Sequence, residues 1–198
     1  MKNKKAKIIG FDLDCVLLDF HDALMAYHNR VYCDSFKMEC PVNFAELQAL
    51  WGGDAAKAEN ETVDFYESKE HMNARPIQGA IEGIEKLKKG NTLYVVTVRP
   101  DVSKEKTLAW IDKNFPDTFS GVYFTNEFHG GGIVSTKARV SKELGIEVFV
   151  DDSLERAREI SEAGIPVLLL DTPWNHEKVS GLITRVNSWA EIMEKLTK

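Results

Sequence analysis

Five short apolar runs recur along the chain, each ending at or beside a polar residue, with helical patterns between them. They are KIIGF (7–11), TLYVVTV (Thr92–Val98), GVYFT (Gly121–Thr125), EVFVD (Glu147–Asp151) and PVLLLD (Pro166–Asp171). Runs of this length suit strands buried on both faces, and strands that alternate with helices assemble into a parallel sheet covered on either side. The helix ends are legible as well. IQGAIEGIEKLKK stops at Gly90, STKARVSKEL stops at Gly145, and SLERAREISEA runs between Ser153 and Gly164. SKEKTLAWIDKNF opens on Ser103 as an N-cap, and the last helix opens on a capping box of Ser188 and Glu191. The fold class read from this pattern is α/β, with a Rossmann-like parallel sheet.

One interval breaks the alternation. Between about residues 21 and 75 there is no strand run, only the helical patterns Ala23–Phe36, Asn43–Trp51 and Asp54–Met72, the second with Asn43 as cap and Glu46 completing its box. A crossover between parallel strands needs a dozen residues or so, not several times that. The expected organisation is a core of residues 1–20 plus 76–198 with a helical cap, residues 21–75, inserted after the first strand. HGGG (His129–Gly132) is the expected flexible loop.

Charge narrows the partners. The formal net charge of −6 repels polyanions, so no nucleic-acid polymer is expected, while a local positive group can still hold a small phosphate ester. The basic start MKNKKAK is followed only by IIGF, too short for a signal peptide or a membrane span, so no membrane is expected. Cys15, Cys33 and Cys40 form no C-x-x-C pair, and a reducing, cytoplasmic setting is expected.

The strand ends carry the chemistry. Asp12 and Asp14 follow the first run and lie two residues apart, the spacing that points side chains the same way along a strand. Asp151 and Asp152 close the fourth run in the same fashion. Strand-ending aspartates can serve merely as caps and turn starters, a reading that suits one pair better than two. Two acidic pairs at matching strand ends repel unless a divalent cation joins them, and oxygen ligands favour Mg²⁺. Thr97 ends the second run and Lys137 begins the helix before the fourth. Each is ordinary alone; with the aspartates they complete a phosphoryl-transfer set of nucleophile, proton donor, metal carboxylates and two groups for phosphate oxygens.

The order DLDCVLLD, TVRP, Lys137, VFVDD resembles the haloacid dehalogenase superfamily of phosphohydrolases over nearly the whole chain. DLDCVLLDF, DFYESKEHMNARPIQGA, STKARVSKELGIEVFVDD and LLLDTPWN further resemble the 5′(3′)-deoxyribonucleotidase family and its bacterial relatives. The resemblance implies Asp12 as nucleophile, forming an aspartyl-phosphate. It implies Asp14 as the group that protonates the leaving alkoxide and then takes a proton from water. Mg²⁺ would be held by Asp12, the backbone carbonyl of Asp14, and the Asp151–Asp152 pair, with Asp152 direct and Asp151 acting through water. Thr97 and Lys137 would hold phosphoryl oxygens, and the first and fourth strands would lie side by side. Phe20 stands where that family places a base-contacting aromatic. The residue after the second aspartate is usually Gly in the family, and here it is Cys15.

Other residues have competing readings. Arg99, just past Thr97, reaches a phosphate or sugar or else lies on the surface. Trp51, Phe65 and Tyr66 stack on a base or pack between helices. Trp174 borders the site or packs. His28, Cys33 and Cys40 match no common zinc spacing. GGGIVSTK lacks the ending of a P-loop and reads as a connection to Lys137. The expected activity is Mg²⁺-dependent phosphomonoester hydrolysis, with a nucleoside monophosphate as the first substrate and partner and a homodimer left open. The alternatives are a phosphatase for another small metabolite such as a sugar phosphate, a signalling receiver, and a silent binding module.

Overall fold

All five apolar runs form strands in the computed structural model, which describes residues 6–32, 54–127 and 135–198. They are β1 (Ile8–Phe11), β2 (Thr92–Thr97), β3 (Gly121–Phe124), β4 (Val148–Asp151) and β5 (Val167–Leu170). A sixth, β6 (Ile183–Val186), was not expected from the sequence. Its residues ITRV include two polar positions, Thr184 exposed and Arg185 half-buried, because it is an edge strand with one neighbour. The order is β3-β2-β1-β4-β5-β6, with every pairing parallel. This is the doubly wound arrangement, in which chain direction across the sheet reverses between β1 and β4 and leaves a crevice at their carboxyl ends.

Side-chain alternation explains why the runs are apolar throughout. Ile9, Phe11, Leu93, Val95, Val148, Val150, Leu168 and Leu170 belong to one core. Val96, Phe149, Val167 and Leu169 belong to the other. The first core is covered by α4 (Ala80–Leu87), α5 (Lys104–Asn114) and α8 (Trp189–Thr197), through residues such as Ile84, Trp110 and Ile192. The second is covered by α6 (Lys137–Glu143) and α7 (Leu154–Glu162), through Val140, Ala157 and Ile160. Strands with apolar residues on both faces need helices on both faces.

Helix ends follow the expected signals with three exceptions, the first being α4, which ends at Leu87 with Lys88 as its cap rather than at Gly90. Ser153 caps α7 by accepting the Arg156 N–H, and Gly145 and Gly164 take positive φ where α6 and α7 end. Ser103 does not cap α5; residues Asp101–Ser103 first form a 3₁₀ turn, and its hydroxyl donates to the Pro100 carbonyl at 2.8 Å. Ser188 accepts the Glu191 N–H as expected, but the Glu191 carboxylate reaches back to the N–H of Asn187, not of Ser188.

Between β1 and α4 the described residues form α1 (Phe20–Tyr32), α2 (Ala55–Glu67) and α3 (Lys69–Met72). The expected single pattern Asp54–Met72 divides at Ser68, which ends α2 and then caps α3 by accepting the His71 N–H. The patterns and residues expected at Asn43–Trp51, Cys33, Cys40 and His129–Gly132 lie outside the described residues. The chain leaves and returns side by side. Leu18 bridges to Pro76, Asp19 N–H donates to the Arg75 carbonyl, and Ile77 N–H donates to the Leu17 carbonyl.

Gly10 lies on the central strand opposite Tyr94 and Phe149. A Cβ there would meet the Phe149 ring at 2.5 Å and Ile146 Cδ1 at 2.7 Å. Gly10→Ala is expected to destabilise the fold by about 1–3 kcal/mol through overpacking, read as a lower denaturation midpoint at unchanged m.

Candidate active site

The four aspartates arrive at the crevice through two neighbouring strand ends. Asp12 is the first residue beyond β1, where its N–H still donates to the Val150 carbonyl at 2.8 Å. Asp151 ends β4 and Asp152 follows it. Past Asp12 the backbone turns sharply: Leu17 and Leu18 N–H both bond the Leu13 carbonyl, and Cys15 N–H bonds the Leu18 carbonyl. The pair Asp12 and Asp14 therefore stands just outside the strand, and the two carboxylates take different partners.

Lys137 organises the first of them. Its ammonium lies 2.7 Å from Asp12 Oδ2 and 2.9 Å from Asp151 Oδ2, with all three residues buried. The remaining oxygens are also engaged. Asp12 Oδ1 accepts the Leu13 N–H, and Asp151 Oδ1 accepts the Ser153 N–H. Burial opposes charge on Lys137, but Asp12 and then Asp151 outweigh it and raise its pKa. Burial raises Asp12 to about 7, with Lys137 pulling down and Asp151 and Asp14 adding upward pressure. Burial likewise holds Asp152 well above the usual carboxylate range, and Asp12 adds to it. Asp12, Asp151 and Asp152 each offer an oxygen within 4.8 Å of the others.

Of the neighbours that hold this cluster, Glu127 was missed in the sequence, whereas Trp174 was expected either to border the site or to pack. Glu127, which follows β3, has a mostly covered side chain that accepts the backbone N–H of Lys137 (3.2 Å), the Thr125 hydroxyl (2.8 Å) and the Arg156 guanidinium (3.0 Å). It thereby fixes the start of α6, which Thr136 also caps. Trp174 Nε1 donates to Asp152 Oδ2 at 2.8 Å, and Asn175 Nδ2 donates to the Asp152 carbonyl at 2.6 Å. The only signal for these was their place after a strand that ends on the ligand side. Trp174 both borders and packs: its ring lies 4.2 Å from that of His21 and lines a cavity of about 680 Å³ shared with Cys15, Gln78 and Trp189.

Asp14 turns the other way. Its carboxylate pairs with both ends of the Arg99 fork, at 2.6 and 2.9 Å. Arg99 is 1% exposed, which corrects the surface reading of this residue. Thr97 is fully buried at the end of β2, and its hydroxyl accepts the Arg99 N–H at 3.3 Å. Phe20 is buried in the first turn of α1, edge-on to Phe65 and 6.0 Å from the Arg99 guanidinium, while Tyr66 lies 4.8 Å from it. The structure thus gathers Asp12, Asp151, Asp152 and Lys137 into one cluster, and Asp14, Arg99, Thr97 and Phe20 into an adjoining group. Trp51 lies outside the described residues, as do two members of the zinc reading, Cys33 and Cys40.

Cys15 adopts φ +59°, the left-handed region, where a non-glycine side chain costs roughly 1 kcal/mol. This accounts for the glycine usual at that place in the resembled family. Burial, then the charges of Asp152, Asp14 and Asp12, push its thiol well above the ordinary value, away from nucleophilic reactivity.

A family model described as 5′ nucleotidase, deoxy (pyrimidine), cytosolic type C protein matches residues 6–198. A nucleotidase of Clostridium acetobutylicum is 26% identical over 134 residues, spanning 67% of this chain and 65% of its own length. The YqfW protein of Bacillus subtilis, provisionally named a nucleotidase, is 26% identical over 191 residues, 94% of this chain and 91% of its own. Among solved structures, a provisionally named haloacid dehalogenase hydrolase of Bacillus subtilis, YfnB, bound to magnesium, superposes with a TM-score of 0.68 at 16% identity. That match covers 98% of this chain and 100% of the other, and it shows the shared fold.

The neutral, buried thiol of Cys15 is expected to alkylate at pH 8 at least about tenfold more slowly in the folded protein than in denaturant. Peptide mapping after timed iodoacetamide treatment measures this; equal rates would mean an accessible thiolate.

Proposed function

This chain belongs to the family of 5′ nucleotidase, deoxy (pyrimidine), cytosolic type C proteins and is a phosphoric monoester hydrolase, and we propose that it acts on nucleoside monophosphates through a phosphorylated Asp12 with Mg²⁺ as cofactor. The observation that carries the proposal is the buried cluster of Asp12, Asp151, Asp152 and Lys137 at the point where sheet direction reverses.

The donor set fits Mg²⁺. Three buried carboxylates face one ammonium, leaving a surplus of negative charge, and every available ligand atom is a hard oxygen. Asp12 and Asp152, with the backbone carbonyl of Asp14, would hold the ion directly. Asp151, the most enclosed of the three and held by Lys137 and the Ser153 N–H, would act through water. The bound ion would polarise the phosphoryl group and offset charge that otherwise repels a dianionic ester. A unit pair of like charges at roughly 4 Å repels by about 4 kcal/mol at an effective dielectric of 20.

The residues of the chain then divide the work. Asp12 attacks phosphorus as the ester bond breaks, and Asp14 gives the departing alkoxide its proton. Water next attacks the phosphorus of the aspartyl-phosphate and yields a proton to Asp14, freeing phosphate and restoring Asp12. Lys137 and Thr97 hold phosphoryl oxygens, Lys137 from its position 2.7 Å from the nucleophile. Helices α1, α2 and α3 act as part of a cap that excludes water and meets the leaving group. Phe20, at the start of that segment beside Arg99, is assigned to the base side of the nucleotide.

Asp12→Asn is expected to lower turnover roughly a thousandfold or more with the fold intact, the scale on which loss of a nucleophile acts. Steady-state assays with circular dichroism check it, and retained turnover would reassign the nucleophile. In a screen of phosphomonoesters, nucleoside monophosphates are expected to lead in kcat/KM. Sugar phosphates ahead by about tenfold would reassign the substrate. Trp174→Phe removes the donor to Asp152 and is expected to raise the Mg²⁺ concentration for half-activation by about tenfold, read by metal titration of activity.

A further inference from the structure

Arg99 engages all three nitrogens of its guanidinium, and its partners come from three separate stretches of chain. Nε and Nη2 hold the two oxygens of Asp14, just beyond β1. Nη1 donates to Thr107 Oγ1 on α5 at 2.8 Å and pairs with His71 Nε2 on α3, also at 2.8 Å. Because arginine only donates, Nε2 must accept, which requires a neutral imidazole. Burial, with the Arg99 charge second, favours that form and lowers His71 to about 3. The Arg99 side chain is fully buried and the Asp14 side chain is 21% exposed, so the more open carboxylate is anchored by the more enclosed cation.

A lone aspartate at that exposure has several rotamers available, whereas a bidentate fork fits one. The fork is itself aimed by two acceptors, one in the sheet-covering layer and one in the inserted helices. Resting on the phosphatase reading above, we propose that Arg99 is a positioning residue for Asp14: it keeps one carboxyl oxygen while the other, released from the fork, carries the proton for the leaving oxygen, and through His71 it makes that placement depend on the docking of α3. The inserted helices thus report their position to Asp14 through one guanidinium.

A role in placing the proton donor has a signature that loss of fold does not. A phenolate made stable by a nitro group departs without a proton, while unsubstituted phenolate gains from one. The test measures kcat/KM for phenyl phosphate and 4-nitrophenyl phosphate with Mg²⁺ in the wild type, Arg99→Gln, Arg99→Lys and His71→Leu. Neither substrate carries a nucleobase, so contacts to a base do not enter. Arg99→Gln is expected to lose at least about tenfold more on phenyl phosphate than on 4-nitrophenyl phosphate. Arg99→Lys, which keeps charge without the fork, should recover part of the difference, and His71→Leu should show the same bias to a smaller degree. Equal losses on both esters, or no loss, in Arg99→Gln overturn the positioning role. An unbiased His71→Leu overturns the link to the inserted helices and, if Arg99→Gln does not fold, decides the question alone. A wild type inert to both esters and to nucleoside monophosphates removes the phosphatase reading, and this inference with it.

Discussion

The ammonium of Lys137, set between the carboxylates of Asp12 and Asp151, is the interaction to which the surrounding architecture answers. Two buried carboxylates brought together without a cation would carry a desolvation and repulsion cost of several kcal/mol. For one ammonium to serve both, β1 and β4 must be neighbours, and α6 must begin at their carboxyl ends. Parallel pairing of Ile9 with Val148 through Phe11 with Val150 meets the first condition. Glu127 and Thr136, which satisfy backbone donors at the first turn of α6, meet the second. The cluster still holds more negative than positive charge, and burial expresses that excess as carboxyl groups pushed toward protonation. A divalent cation is the simplest chemical answer to such an excess.

A second cation governs the other half of the site. Arg99 and Lys137 are both enclosed, yet they differ in what they offer. The compact ammonium lies between carboxylates that the strands already place, whereas the planar fork selects a direction for a carboxylate on a turn. Asp14 lies beyond the end of β1, on a turn that continues into the left-handed Cys15, so it is not held within the strand as Asp151 is. The division matches the tasks assigned to the two aspartates. Under the proposed mechanism the attacking Asp12 would benefit from rigidity shared with the sheet, and the proton carrier Asp14 would have to meet leaving groups beneath the inserted helices.

Much of this arrangement was legible in the residues. Apolar runs alternating with helices marked out five of the parallel strands, four of them central, and their polar ends identified Asp12, Thr97, Asp151 and Asp152 together. Lys137 was visible through its place at the start of a helix. What escaped notice depended on contacts between distant segments. Nothing local marks Glu127 as the carboxylate under α6, or His71 as an acceptor for Arg99. The guanidinium looked like a surface group because a buried arginine is recognised by its partners, which lie 85, 28 and 8 residues away. β6 escaped because an edge strand needs no long apolar run, and Ser103 misled because a 3₁₀ turn intervenes before its helix.

The place where the inserted segment joins the core has a consequence of its own. Leu18 and Pro76 face each other across a single bridge, flanked by the bonds from Asp19 to Arg75 and from Ile77 to Leu17. The two ends of the segment are therefore fixed at one separation whatever lies between them, and the entropy of closing such a loop grows only with the logarithm of its length. The sheet can tolerate a longer, shorter or wholly exchanged insertion at little thermodynamic penalty.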